Sequence, residues 1–427
     1  MSSVLNVTLP DSWSSAPLKH VTSTLNRGSA PDYVDAGPVR VISQASNQAS
    51  GLDWSRTRFH NFNGNPKSLK GYLYPSDVLI NSTGTGTLGR VGYFTGSPDR
   101  LPCMADSHVT IARAKPDELD ARFSYYWLGS KPFQEYVYAA LVVGATNQIE
   151  LNRDRLGDAP VPLPPLDKQR SIADFLDAET ARIDQLVSLR TRQIRLVEEK
   201  RASSLNSVFE REAHCPTRLK RLLTTRPRYG VLVPQFVDGD GVRFIRVNDL
   251  LDLPGRANSL RRIPHALSAQ YARTITRPGD VLLSVVGTLG RSAIVPPELE
   301  GANVARAVAS LRPMPDVSAE LIAAWLTTSD FIRQAANATS SDTAQPTLGM
   351  EDLANFTLSW PTSPSAQQDL LHEVRAIQRH GNDLACAFQA QSRLLTERRQ
   401  ALITAAVTGQ FDVSAASGRN VIEGVTA

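Results

Sequence analysis

From Asp167 to Phe209 the chain contains neither glycine nor proline. Over that span Ile172, Leu176, Ile183, Leu186, Val187, Ile194, Val197, Leu205 and Val208 recur at steps of three, four and seven. This spacing predicts one amphipathic helix with a narrow apolar stripe. At 1.5 Å per residue it would run ~65 Å, longer than one globular domain needs. The run Pro160-Val161-Pro162-Leu163-Pro164-Pro165 sets its start, because proline cannot occupy a helix interior, and Asp167 is a candidate cap. A stripe this narrow suits pairing with one other helix, so a partner is expected elsewhere in the chain.

Residues 1–159 carry a different pattern. Short apolar runs (Val39 to Ile42, Asp77 to Ile80, Val109 to Ala112) alternate with Gly, Asn, Ser and Pro, which predicts a mixed, mainly β domain. Phe123, Tyr126, Trp127, Phe133 and Val137 stand at helical spacing and are expected in its core. The same grammar restarts after the helix. Leu18-Lys19 returns as Leu219-Lys220, and Asp77-Val78-Leu79 as Asp280-Val281-Leu282. Gly86-Thr87-Leu88-Gly89-Arg90 returns as Gly287-Thr288-Leu289-Gly290-Arg291. Thr146, Gln148 and Leu151 return as Thr343, Gln345 and Leu348, and Leu163-Pro164 as Trp360-Pro361. Offsets that stay near 200 residues indicate a tandem duplication.

The second copy also ends in a heptad-spaced stripe, Leu370, Val374, Ile377, Leu384, Phe388, Leu395 and Leu402, which supplies the partner helix. Gly381 and Gln391 break the stripe, so imperfect pairing is expected there. The expected fold is α+β: two tandem, mainly β domains and two long helices paired as an antiparallel coiled coil with a pseudo-two-fold axis. The divisions are a first domain at 1–159, linker and helix at 160–212, a second domain at 213–361, a second helix at 362–411 and a disordered tail at 412–427. Two-fold symmetry of this kind matches two half-sites on a DNA duplex.

Composition narrows the class. The net charge is only +4, yet arginine greatly outnumbers lysine among the 46 basic residues. Arginine's planar fork suits phosphate and guanine. Cys103, Cys215 and Cys386 lie far apart, which argues against a disulfide framework or structural zinc and fits a reducing compartment. Met1 to Ser15 lacks the pattern of a secretory signal, and no run approaches about 18 apolar residues. A cytoplasmic location is expected.

The chain resembles the specificity (S) subunits of Type I restriction-modification systems over nearly its full length. The resemblance rests on Leu9-Pro10-Asp11-Ser12-Trp13 followed by Leu18, and on the paired Gly-Thr-Leu-Gly-Arg segments. It rests also on Pro162 to Gln169 leading into Ala178-Glu179-Thr180-Ala181-Arg182-Ile183-Asp184, and on the run from Glu397 to Gln410. It implies two target-recognition domains that each read half of a split, asymmetric DNA sequence. The helices would space the domains and dock two methyltransferase (M) subunits, which carry the adenine methylation chemistry, with restriction (R) subunits joining that core. S-adenosylmethionine, ATP and magnesium would then be cofactors of the partners, with none in this chain. The second helix entry, Trp360-Pro361-Thr362-Ser363-Pro364, departs from the Pro-Pro-Leu form of the first.

No catalytic or metal site is expected. Gly84 to Val91 has phosphate-loop glycine spacing, but Arg90 replaces the lysine and Val91 the Ser/Thr such a loop requires. The candidate DNA contacts are Arg56, Arg58, Lys67, Lys70 and Arg90 in the first domain. In the second they are Arg226, Arg228, Arg243, Arg246, Arg261, Arg262 and Arg291, where basic residues outnumber acidic ones roughly two to one between Arg218 and Arg312. Thr146, Gln148, Thr343 and Gln345 either touch bases or close a turn. Ile183, Leu186, Val197, Leu384, Leu395 and Leu402 are the candidates on the subunit-docking helices. The competing class is a coiled-coil protein scaffold that never binds DNA.

Overall fold

A computed structural model describes residues 3–84, 86–143, 149–211, 214–287, 289–339 and 347–413. Thr146, Gln148, Thr343, Gln345 and the tail beyond Val413 lie outside the described residues. The chain forms two units, Met1–Leu189 with Gln391–Ala427, and Arg190–Ala390. Among the described residues no helix is long and apolar enough to cross a membrane.

Each unit holds a four-stranded antiparallel sheet of the same order. In the first it runs Val91–Tyr93, Val78–Asn81, Val109–Ala114, Thr22–Arg27. In the second it runs Ser292–Ile294, Val281–Ser284, Val308–Pro313, Leu223–Tyr229. The register repeats, with Val78 opposite Ala112 and Val281 opposite Leu311. A second sheet pairs Val39–Ile42 with the parallel strand Cys103–Ala105 and the antiparallel Arg58–His60, which pairs in turn with Tyr33–Val34. Its counterpart pairs Val242–Ile245 with Asn303–Val304 and Arg262–Ile263, closed by a bridge from Val237 to Arg262. The first Gly-Thr-Leu-Gly-Arg segment is a turn between strands; Gly86, Gly89, Gly287 and Gly290 have the positive φ that only glycine adopts without cost.

The aromatic stripe lies in the first unit's core: Phe123, Trp127 and Phe133 are fully buried beside Trp13 and Leu18. Trp325, Phe331 and Leu219 occupy the corresponding core of the second unit.

The long helices span Leu166–Phe209 and Pro364–Val407. The first begins one residue before Asp167, which sits in the first turn where its charge favours the helix N-terminus, and is not the cap. Ser363 caps the second, its hydroxyl accepting from Ala366 N at 3.2 Å, with Pro364 at the first helical position. Within the first unit the helices run antiparallel: Lys168 reaches Asp412 and Arg399 reaches Asp184, at 2.5 and 3.0 Å. Within the second unit the direction is the same, with Arg190 over the Phe388 ring, Arg201 bonded to Asn382 and Arg211 to Glu373. Gly381 does not leave a gap: its missing side chain admits the Arg201 stem, 3.0 Å from an ideal Cβ. Gly409, past the second helix, could not carry a side chain either, because a Cβ there would lie 2.5 Å from Pro10.

Each domain is latched to the long helix that follows it in the chain. In the first unit Arg122 binds Asp174 and Asp177 at 2.7 and 2.8 Å, and the Tyr126 hydroxyl donates to Asp177 at 2.7 Å. In the second, Glu320 holds the place of Arg122 and binds Arg375 at 2.7 Å. The latch recurs with its charges exchanged. Gln169 adds a buried clamp in the first unit, accepting from Asp120 N and donating to the Pro164 and Glu118 carbonyls.

Candidate nucleic-acid interface

DNA presents a dense row of negative charge, so its binding surface must offer cations not already held by other groups. Several sequence-predicted cations are held. Arg90 turns inward, donating to Asn47 O, Gln48 Oε1 and Gly86 O at 3.2, 3.0 and 3.4 Å, and so ties a small hairpin to its own turn. Arg243 and Arg262 donate to the Glu298 and Gly241 carbonyls at 2.5 and 2.6 Å. Arg246 bonds the buried Asp249 at 3.2 Å, and the Asp249 carboxylate also accepts from Arg246 N. These side chains order the domain.

Two others form surface ion pairs, Arg56 with Asp53 and Arg226 with Glu351, both at 3.0 Å. The Ser55 hydroxyl first, with Arg56 adding to it, holds the Asp53 carboxyl below its usual range. Exposed pairs of this sort are screened by water and contribute little, so a phosphate can displace them.

The remaining candidates are Arg58, Lys67 and Lys70 in the first unit and Arg228, Arg261 and Arg291 in the second. Among the described residues their side chains have no ion pair or hydrogen bond, and all but the half-buried Arg291 are exposed. Arg58 and Arg261 are ordered by another means. The Arg58 guanidinium lies over the Tyr33 ring, 4.4 Å from its centroid, and that of Arg261 over Phe236 at 3.6 Å. Neither ring is loose. The Tyr33 hydroxyl donates to the buried Asp106 at 3.2 Å, and Phe236 packs edge-on against the buried Phe244. Burial first, then the Asp106 charge, pushes the Tyr33 phenol up to about 12. Tyr33 and Phe236 were not among the sequence candidates. The signal was present: both members of the pair are displaced by the same 203 positions in the repeat.

The helix candidates separate as well. Ile183 and Leu402 are buried in the first unit's core, with Leu395 packed against it. Val197 and Leu384 are half-buried in the second unit. Leu186 is exposed, as are Leu189, Leu196 and Leu394. The predicted stripe is thus used largely within the units, with Leu186 its exposed member, while Leu189, Leu196 and Leu394 lie off it. Beside Val187, a groove of about 850 Å³ opens in the first unit between Arg90, Tyr126, Asp177 and Arg399.

Comparison with known proteins fits this arrangement. Residues 35–194 match the family described as the Type I restriction modification DNA specificity domain. The chain is 26% identical over 371 residues to the Type I restriction enzyme EcoBI specificity subunit of Escherichia coli, covering 80% of this chain and 74% of that one. A putative Type I specificity subunit of Haemophilus influenzae is 26% identical over 249 residues, 53% of this chain and 57% of that one. In fold, a chain from a study of complex assembly and conformational transition in the type I R-M system matches with a TM-score of 0.68 at 17% identity. It covers 95% of this chain and 100% of that chain. The HsdS subunit of Thermoanaerobacter tengcongensis matches with a TM-score of 0.50 at 18% identity, covering 95% and 99%. Residues 35–194 thus match the Type I restriction modification DNA specificity domain, and over most of its length the chain is similar to Type I restriction enzyme specificity subunits.

Proposed function

We propose that this chain reads a bipartite, asymmetric DNA target on behalf of a Type I restriction-modification complex. Each duplicated domain would read one half-site, and the long helices would set the spacing and seat two methyltransferase subunits and the restriction subunits. As a specificity subunit the chain is the non-catalytic member, so S-adenosylmethionine, ATP and magnesium belong to its partners, and its place is the cytoplasm. The observation that carries this reading is the matched pair of domains, each presenting an uncommitted arginine stacked on an aromatic ring at the equivalent place beside its second sheet. Because the residues around those strands differ between the copies, the two half-sites should differ in sequence. The exposed Leu186, Leu189 and Leu394 are better docking candidates than Ile183 and Leu402, since a side chain buried in the core cannot also meet a partner.

Methylome sequencing of a host with and without the chain tests this reading. The expected result is adenine methylation at a split, non-palindromic motif that disappears with the chain. A continuous or palindromic motif, or an unchanged methylome, overturns it.

A further inference from the structure

Five arginines stack on aromatic rings among the described residues, and their other bonds set two of them apart. Arg40, over Phe59, is bonded to Asp99 and Thr57, and Arg113, over Tyr74, to Asp77. Arg190, over Phe388, is bonded to Gln193 between the paired helices. Arg58 and Arg261 have the ring beneath them and, among the described residues, no hydrogen-bonded or ion-paired partner for the guanidinium. Their backbones occupy equivalent places. Arg58 lies opposite Val41 in its sheet, and the Arg261 carbonyl accepts from Phe244 N, 203 positions on from Val41.

Resting on the functional reading above, we infer that Arg58 and Arg261 are the paired base-reading arginines of the two domains, each directed at a guanine in its half-site. Phosphate contact needs charge and tolerates a mobile side chain, which Lys67, Lys70, Arg228 and Arg291 can supply. Base reading needs a fork held at a fixed angle, because both N–H groups must meet guanine O6 and N7 together. Stacking on a pinned ring provides that order without engaging the fork edge, and reduces the conformational entropy lost on binding. A carboxylate partner would occupy the same edge, as Asp99 does for Arg40 and Asp77 for Arg113. The ring differs, Tyr in one domain and Phe in the other, because only its face is used.

The test uses the full-length chain in its host, carrying R58A or R261A, read by single-molecule methylome sequencing. R58A is expected to relax one G·C position in one half of the motif, with discrimination there falling roughly ten- to hundredfold and the other half unchanged. R261A should do the reverse. A uniform loss of modification with the motif intact, or no change, overturns the inference while the functional reading stands. If R58A abolishes modification, R58K decides, since it restores charge without the fork. Recovery with a relaxed motif upholds the inference; recovery of the original motif, or loss in both variants, overturns it. A methylome unaffected by deleting the chain sinks the inference and the functional reading together.

Discussion

Arg113 grips the buried carboxylate of Asp77 with two parallel bonds, Nε to Oδ1 at 2.6 Å and Nη2 to Oδ2 at 2.7 Å. The second domain repeats the device in Arg312 and Asp280, at 2.8 and 2.7 Å. In both, Nη2 also reaches a backbone carbonyl, of Tyr72 or Ile275, and the aspartate accepts a nearby backbone N–H. The pair joins adjacent strands of the main sheet to the loop leading into them, and so holds that loop against the sheet in each copy.

Removing one partner of a buried pair strands the other without compensation. D77A and D280A should each lower stability by about 3 kcal/mol, measured by urea denaturation of the full chain. A loss under about 1 kcal/mol would show that the pair is incidental to the fold.

The charge-exchanged latches make a second forecast. R122E places like charges against Asp174 and Asp177, and E320R does the same against Arg375. Each should lower stability only modestly, since the groups are exposed or partly exposed and water screens them. Adding R375E to E320R should recover most of the loss, measured as a double-mutant cycle. Additive losses would mean that the two residues do not couple.

The same latch carries a pH dependence. The Arg375 hydrogen bond holds the Glu320 carboxyl below the usual glutamate range, and that of Arg211 does so for Glu373. A carboxyl lowered on folding stabilises the folded state above its unfolded pKa of about 4.3 and loses that contribution as pH falls through its folded value. Thermal stability should therefore fall below about pH 4.3, and less steeply in E320Q. Equal slopes for E320Q and the parent chain would refute the linkage.

DNA affinity supplies a fourth test. K67A with K70A, and R228A with R291A, should weaken binding evenly across sequences and reduce the salt slope by about one per cation lost. R90A should instead loosen the hairpin at Asn47 and Gln48, with a smaller change in salt slope. Equal slopes for all the variants would remove the distinction between held and uncommitted cations.

Sequence alone determined the repeat, the two long helices and the mainly β domains, because these follow from local chemistry: apolar periodicity, glycine at positive φ and proline at helix entry. The helix at Leu166–Phe209 was legible to within a residue. Which arginines remain uncommitted was not legible. Arg90 and Arg58 look alike in the chain, yet one bonds Asn47, 43 positions away, and the other rests on Tyr33. Hydrogen bonds and stacking of this range depend on which strands pair, and pairing is a property of the folded sheet. For the same reason the helix stripe could be read from periodicity, whereas its use within the units, leaving Leu186 and Leu189 exposed, was decided only by tertiary packing.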